Sequence, residues 1–249
     1  MAADGRIESK TVKYQQWRDQ RVSRKLRKIA NFRRLFAVIL AISVSACGGY
    51  MQKEGDLSEP VRYILGGKKY EVPLGYHYTD YLKRKMRWPN PKDEFSEAGA
   101  ISITGLIPGF MPYDESNKGE FEQPGTGNKI HLIISPNVTV YPVDEYLRRM
   151  SGSGHLQSLE SDLPGLKRYW DNYGGADETK GADVYVKDGD SEYFMLRCER
   201  LKAPSPSCGV TKVRSDGLQI SYTFSSAHLA VWADIDRDVN QRIDQFRAD

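Results

Sequence analysis

The chain has 249 residues, enough for one or two domains, with 39% apolar and 28% charged residues, the balance of a soluble globular protein. The net charge of +3 hides an asymmetry: residues 1–46 carry 11 Lys/Arg against 3 Asp/Glu, which leaves 25 basic and 30 acidic residues in 47–249, a net of −5. A folded part that is mildly acidic lacks the basic face needed to displace counterions from nucleic acid, so nucleic-acid partners are excluded.

The first element is an export signal. Residues 21–34, RVSRKLRKIANFRR, are strongly basic and run into the twelve small or apolar residues LFAVILAISVSA at 35–46, followed by Cys47-Gly48-Gly49. This is the order of a secretory signal peptide: basic region, apolar region, small-residue cleavage site. Val44-Ser45-Ala46-Cys47 resembles a bacterial lipobox, which implies diacylation of Cys47 and cleavage before it. Twelve apolar residues fall short of the ~20 that cross a bilayer as a helix. An uncleaved anchor over 35–51 is the rival reading, and the long basic region leaves Val12 or Val22 open as the true start. Gly48, where an aspartate retains many lipoproteins at the inner membrane, favours the outer membrane, so the expected location is the periplasm, held by lipid.

Residues 47–60 read as a tether, and 61–249 as a single domain, with two β-β-α sub-halves (61–155 and 160–249) as a further subdivision. Val61–Leu65 and Lys68–Val72 flank Gly66-Gly67, a two-residue hairpin signal. Residues 73–98, rich in Pro, Tyr and charge, read as loop. Within them Lys83-Arg84-Lys85-Met86-Arg87-Trp88 is a basic run, expected to be a solvated face, with contact to anionic lipid as the alternative. Ile101–Ile107 alternates as a strand does. Pro108–Asn128 reads as a long loop, and Ile130–Ser135 as a central strand.

Pro142–Met150 predicts a short central helix, with acids in its first turn and arginines in its last. From 166 a meander follows over Leu166–Trp170, Asp183–Lys187, Glu192–Arg200, Cys208–Arg214 and Leu218–Phe224. Cys198 and Cys208 lie on adjacent strands across a Pro-rich turn, close enough for a disulfide in an oxidising compartment. Leu229, Trp232, Ile235, Val239, Ile243 and Phe246 recur at helical spacing, with Ser225 or Ser226 as cap. The fold class is therefore α+β: a mainly antiparallel meander with a C-terminal amphipathic helix and a short central one.

The motifs of chemistry are incomplete. Ser151 and Ser153 both lack the flanking glycines of a nucleophile elbow. Asp234, Asp236 and Asp238 open like a calcium loop, but Val239 and Gln245 stand where Gly and Glu are needed, so the acids are expected on a solvated helix face. His77, His131, His155 and His228 have no partners at metal-ligand spacing. No catalytic residue, metal or cofactor is expected.

Several features together resemble the immunity lipoproteins encoded beside type VI secretion phospholipase effectors. They are the lipobox; the early strand pair ending Tyr70-Glu71-Val72-Pro73; Ile107-Pro108-Gly109-Phe110 with an acidic loop behind it; the Cys198/Cys208 pair; and Tyr222 to Ile235 followed by helix. The resemblance covers most of 61–247. It implies a protein that binds and blocks a lipase toxin in the periplasm, with no substrate of its own. A structural or assembly lipoprotein of an envelope machine is the alternative, and a periplasmic hydrolase a weaker one. The expected partner surface is the loop after Phe110, where Asp114, Glu115, Glu120 and Glu122 alternate with Tyr113 and Phe121 as aromatic anchors.

Overall fold

The structure, a computed structural model, describes residues 56–89, 94–136, 142–173, 175, 177, 179–187, 193–200 and 206–248. The signal at 1–46, Cys47 and the tether up to residue 55 lie outside the described residues, as do residues 188–192, where the expected strand Glu192–Arg200 starts, and 201–205.

Gly66 and Gly67, at φ +58° and +78°, take the left-handed conformation that a tight hairpin demands, and they join β1 (Pro60–Leu65) to β2 (Lys68–Pro73) with Leu65 opposite Lys68. Two short strands flank this hairpin: β3 (Ser96–Glu97) runs parallel to β1, and β12 (Arg247–Ala248) pairs with β2. The second sheet has eight strands among the described residues. They are β4 (Ile101–Leu106), β5 (Lys129–Pro136), β6 (Leu156–Leu159), β7 (Leu166–Asp171), β8 (Ala182–Lys187), β9 (Phe194–Glu199), β10 (Ser207–Val213) and β11 (Leu218–Ser225). Their order is β4-β5-β11-β10-β9-β8-β7-β6, antiparallel throughout, so β6 to β11 form the meander and β5 and β4 extend it at one side.

Four α-helices accompany the sheets among the described residues: α1 (Tyr78–Lys83), α2 (Lys118–Glu122), α3 (Val143–Gly152) and α4 (Trp232–Gln245). The sub-halves 61–155 and 160–249 share both sheets, since β5 pairs with β11 and β12 with β2.

The inner face of the large sheet is set by alternation. Ile130, Leu132 and Ile134 of β5 and Ile220, Tyr222 and Phe224 of β11 are buried in one cluster with Ile235, Val239, Ile243 and Phe246. The spacing of Ile235, Val239 and Ile243 puts them on one stripe of α4, which Phe246 extends at its C-cap, and each such side chain contributes about 1.5–3 kcal/mol when removed from water. Ser225 caps the approach, its hydroxyl accepting the Ala227 N–H of a 3-10 turn, Ser226–Val231, ahead of α4. Cys198 and Cys208 are directly opposite on β9 and β10 and are joined as a disulfide.

Three segments differ from expectation. Residues 73–98 hold a 3-10 turn (Leu74–His77) and α1, because Leu74, Tyr76 and Tyr78 are buried. The region after Pro108 contains α2. Asp236 and Asp238 do not lie on a solvated face. The Asp236 carboxylate accepts from Lys212 (2.5 Å), Tyr222 (2.8 Å) and Asn240 (3.2 Å), and that of Asp238 accepts the Gly109 N–H (3.0 Å); Asp234 alone of the three is surface-exposed, paired with Arg237. These acids dock α4 onto the sheet and onto the 107–110 segment.

Candidate partner-binding surface

The segment Ile107-Pro108-Gly109-Phe110 is a clamp for the C-terminal helix. Phe110 is buried at a left-handed φ of +50°, and its ring lies where a Cβ on Gly105 would come within 2.7 Å, so the strand is glycine there for contact reasons. Tyr76 stacks on Phe110 at 5.5 Å and donates its hydroxyl to the Phe110 carbonyl, while Arg242 of α4 donates to the Gly109 carbonyl.

From this clamp the chain returns through Met111, whose N–H and C=O both bond Leu106, and enters the acidic segment. Asp114 closes the next turn: its carboxylate accepts the N–H groups of Ser116 (2.7 Å) and Asn117 (3.1 Å) and the Ser116 hydroxyl. These bonds, with the Ser116 hydroxyl foremost, hold its carboxyl below the usual carboxylate range. Asn117 ties back to the Pro112 carbonyl (2.9 Å), and α2 follows. Lys129, buried at the start of β5, donates to the carbonyls of Phe121 and Gln123, which stabilises the C-terminal end of α2. The segment is therefore fixed along its length.

The structure places the six expected partner residues together but sorts them. Asp114, Glu115, Glu120 and Glu122 are exposed. Tyr113 and Phe121, at 4% and 5% exposure, point inward and offer no anchor surface, because they complete a second hydrophobic cluster with Tyr78 and Leu106. Tyr78 and Tyr113 stack at 3.6 Å with planes 4° apart, and Phe121 meets both edge-on at 5.6 Å. The two tyrosines hold the acids from below: Tyr113 donates to Glu115 (2.6 Å) and Tyr78 to Glu122 (2.7 Å). Burial first, and then the bond to Glu122, pushes the Tyr78 hydroxyl up to about 12, so it stays a donor. Asn128 fixes Glu120 (2.8 Å). The result is a rigid, negatively charged rim.

The alternation of acids and aromatics in 113–122 was the available signal for the rim. Nothing local signalled that Tyr78, Tyr81 and Trp88, from the presumed loop 73–98, would complete the cluster beneath it. A further polar group went unread: Arg197 on β9 bonds Asp171 (2.8 Å), Glu199 (3.1 Å) and Tyr173 (2.5 Å), with the Asp171 side chain only 3% exposed. These residues lie on two separate segments, 171–173 and 197–199, and burial of Asp171 is offset by a charge-assisted bond from one guanidinium that also reaches Glu199 and Tyr173. No group of three or more metal-ligating side chains occurs among the described residues.

Solved structures share this fold. The crystal structure of the Neisseria meningitidis iron-regulated outer membrane lipoprotein FrpD is similar at TM-score 0.55 and 17% identity, over 76% of this chain and 93% of that one. An immunity protein of the Stenotrophomonas maltophilia type IV secretion system is similar at TM-score 0.53 and 18% identity, over 77% of this chain and 94% of that one. At these identities the likeness establishes a shared α+β fold. No family model and no curated protein matches the sequence.

Proposed function

We propose that the protein is an envelope immunity lipoprotein, anchored through Cys47 in the periplasm, that binds and neutralises a lipase effector of a type VI secretion system. The observation that carries the reading is a fold common to an outer membrane lipoprotein and to a secretion-system immunity protein, here following the lipobox-like Val44-Ser45-Ala46-Cys47. The acidic rim is the surface assigned to the effector. It acts by occupying a basic or catalytic cleft and needs no chemistry of its own. The immunity protein of similar fold serves a type IV apparatus, so effectors of either apparatus belong in the test.

The test is rescue. An effector encoded beside this gene, directed to the periplasm, is expected to lyse cells, and co-expression of the full chain to restore growth; the purified pair should form a stable complex. Growth arrest that persists despite abundant, correctly exported protein would refute the reading. Cys47→Ser is expected to abolish labelling by a fatty-acid analogue, and persistent labelling would remove the anchor assignment. The alternative of a structural lipoprotein draws on the likeness to an outer membrane lipoprotein, and predicts envelope defects on deletion without any effector.

A further inference from the structure

The basic run that the acidic rim leaves unused forms a knob at the end of α1. Arg84 N–H bonds the Asp80 carbonyl and Met86 N–H the Tyr81 carbonyl, both at 2.9 Å, so the chain folds back directly after the helix. Lys85 and Met86 take left-handed backbone, at φ 55° and 64°, which two successive non-glycine residues adopt only at a cost. This conformation presents Met86, at 67% the most exposed large apolar side chain among the described residues, and Leu82, at 38%, set among exposed Lys83, Arg84, Lys85 and Arg87.

Several cations elsewhere in the domain are paired: Arg62 with Glu71, Arg168 and Arg200 with Asp183, Arg197 with Asp171, Lys212 with Asp236. Lys83, Arg84, Lys85 and Arg87 form no ion pair with any described residue, although Asp80 stands on the same helix. Four cations with no ion-pair partner among the described residues, around two exposed apolar side chains in a chain whose folded part is net negative, match an anionic surface with an apolar layer beneath it.

The base of the knob is rigid. Tyr81 and Trp88 stack at 4.3 Å and pack on the cluster of Tyr78 and Tyr113. Leu57 packs on that same cluster, and Gly75 N–H bonds the Leu57 carbonyl. The described chain therefore begins beside the knob. Cys47 precedes Asp56 by nine residues, a length that spans at most about 30 Å when fully extended. A lipid on Cys47 would hold this end of the domain, and not a remote one, next to the bilayer. So short a tether raises the local concentration of headgroups around the four cations, and weak individual contacts then suffice.

We infer that Leu82–Arg87 is a membrane-contact surface that seats on anionic phospholipid headgroups of the leaflet holding the Cys47 lipid, with Leu82 and Met86 entering the interface. The inference rests on the anchor assignment in the proposed function. Its consequence is orientation: the domain stands on this end.

The experiment uses the full chain, processed and lipidated in cells, then reconstituted into vesicles of phosphatidylcholine alone or mixed with phosphatidylglycerol. An amine-reactive reagent reports access to Lys83 and Lys85 by mass spectrometry, with Lys180, 72% exposed at its side chain, as internal reference. Each cation near an anionic surface is worth about a fivefold factor; Lys83 and Lys85 are therefore expected to label at least about fivefold more slowly in the anionic vesicles, with Lys180 unchanged. High salt should erase the difference. Substituting Leu82, Arg84, Met86 and Arg87 by Ser leaves the two reporter lysines in place. That variant should still float with both vesicle types and melt normally, but lose the protection. Equal labelling of the unaltered chain in both vesicle types, while it floats with both, overturns the inference and leaves the anchor standing. Failure to float with either overturns both. Protection that appears only on adding an acidic protein assigns the knob to a protein partner and overturns the membrane contact.

Discussion

The main core draws its side chains from strands and one helix at fixed spacing, whereas the cluster around Tyr78, Tyr113 and Phe121 takes each ring from a different short segment. In the first, Leu132, Ile220, Phe224 and Val239 repeat at periods of two or about four, and every position repeats its neighbour's role. In the second, a tyrosine opens α1, another precedes a turn and a phenylalanine sits in a helix of five residues. The first cluster joins sheet to helix. The second fixes the charged rim and the basic knob in place. The domain thus separates the packing that makes it fold from the packing that shapes its surface.

The largest effect is expected in the first cluster. Phe224→Ala empties a fully buried site on the central strand β11, and about 4 kcal/mol should be lost. Denaturant unfolding is expected to show a lower midpoint without a change of slope. Tyr113→Ala tests the second cluster: it removes a ring stacked at 3.6 Å and 4% exposed, for about 3 kcal/mol. A Tyr113→Ala protein as stable as its parent would show that the rim is not held from below.

The same comparison explains what was legible in the sequence. Alternation gave β4, β5 and most of the meander, the six-residue stripe gave α4, and two cysteines in facing strands gave a pair that the structure joins. Periodicity is a local signal, and those elements are locally periodic. Leu74, Tyr76 and Tyr78 were hidden among Pro, Gly and charge, and their burial depends on Phe110, Tyr113 and Phe246, 30 or more positions away. The docking role of Asp236 and Asp238 was hidden in the same way, since Lys212 and Gly109 are identified only by the fold. For the rim, the acids were legible and the direction of the aromatics was not. A ring beside a carboxylate reads equally well as an exposed anchor or as a buried support.

His77 sharpens the contrast by pH. It lies where the two clusters approach, 2% exposed, with Nδ1 unpartnered among the described residues and Nε2 3.4 Å from the Tyr63 hydroxyl. Burial first, and then the charge of Arg84, push its imidazole down to about 4, against about 6.5 in an unfolded chain. Between these values the unfolded chain binds a proton that the folded one refuses. Stability is therefore whole above about pH 6.5 and falls as pH drops towards 4, by about 2 kcal/mol at pH 5. His77→Gln is expected to flatten this slope in denaturant titrations at neutral and mildly acidic pH. A wild-type profile level over that window would mean that the histidine is not held neutral. Asp183 acts lower: burial opposes its charge, but the bonds from Arg200 and Arg168 outweigh it and lower its pKa, so its contribution is whole above the ordinary Asp value of about 4 and is lost as pH falls from there through its lowered pKa.

The smallest effect on stability, and the most informative on function, comes from the rim itself. Asp114→Asn with Glu115→Gln, Glu120→Gln and Glu122→Gln removes four charges while preserving an amide oxygen at each acceptor: for the turn at Ser116 and Asn117, and for Tyr113, Asn128 and Tyr78. Since all four side chains are exposed, the unfolding free energy should shift by no more than about 0.5 kcal/mol per site. Binding of the cognate effector should nonetheless weaken at least about tenfold, equivalent to about 1.4 kcal/mol. Part of that loss should appear as slower association, since a charged rim steers an oppositely charged partner. Isothermal titration and stopped-flow association on the parent and the variant separate these terms. The pairing with Tyr113→Ala makes the result decisive: that change should lower stability and, through a loosened rim, affinity, whereas the charge variant should lower affinity alone. An effector that binds the charge variant as tightly as the parent would place the interface away from the rim. The next surface to mutate would be the outer face of β5 and β11, where Ile133, 47% exposed, stands opposite Ser221 in a row with His131 and Thr223.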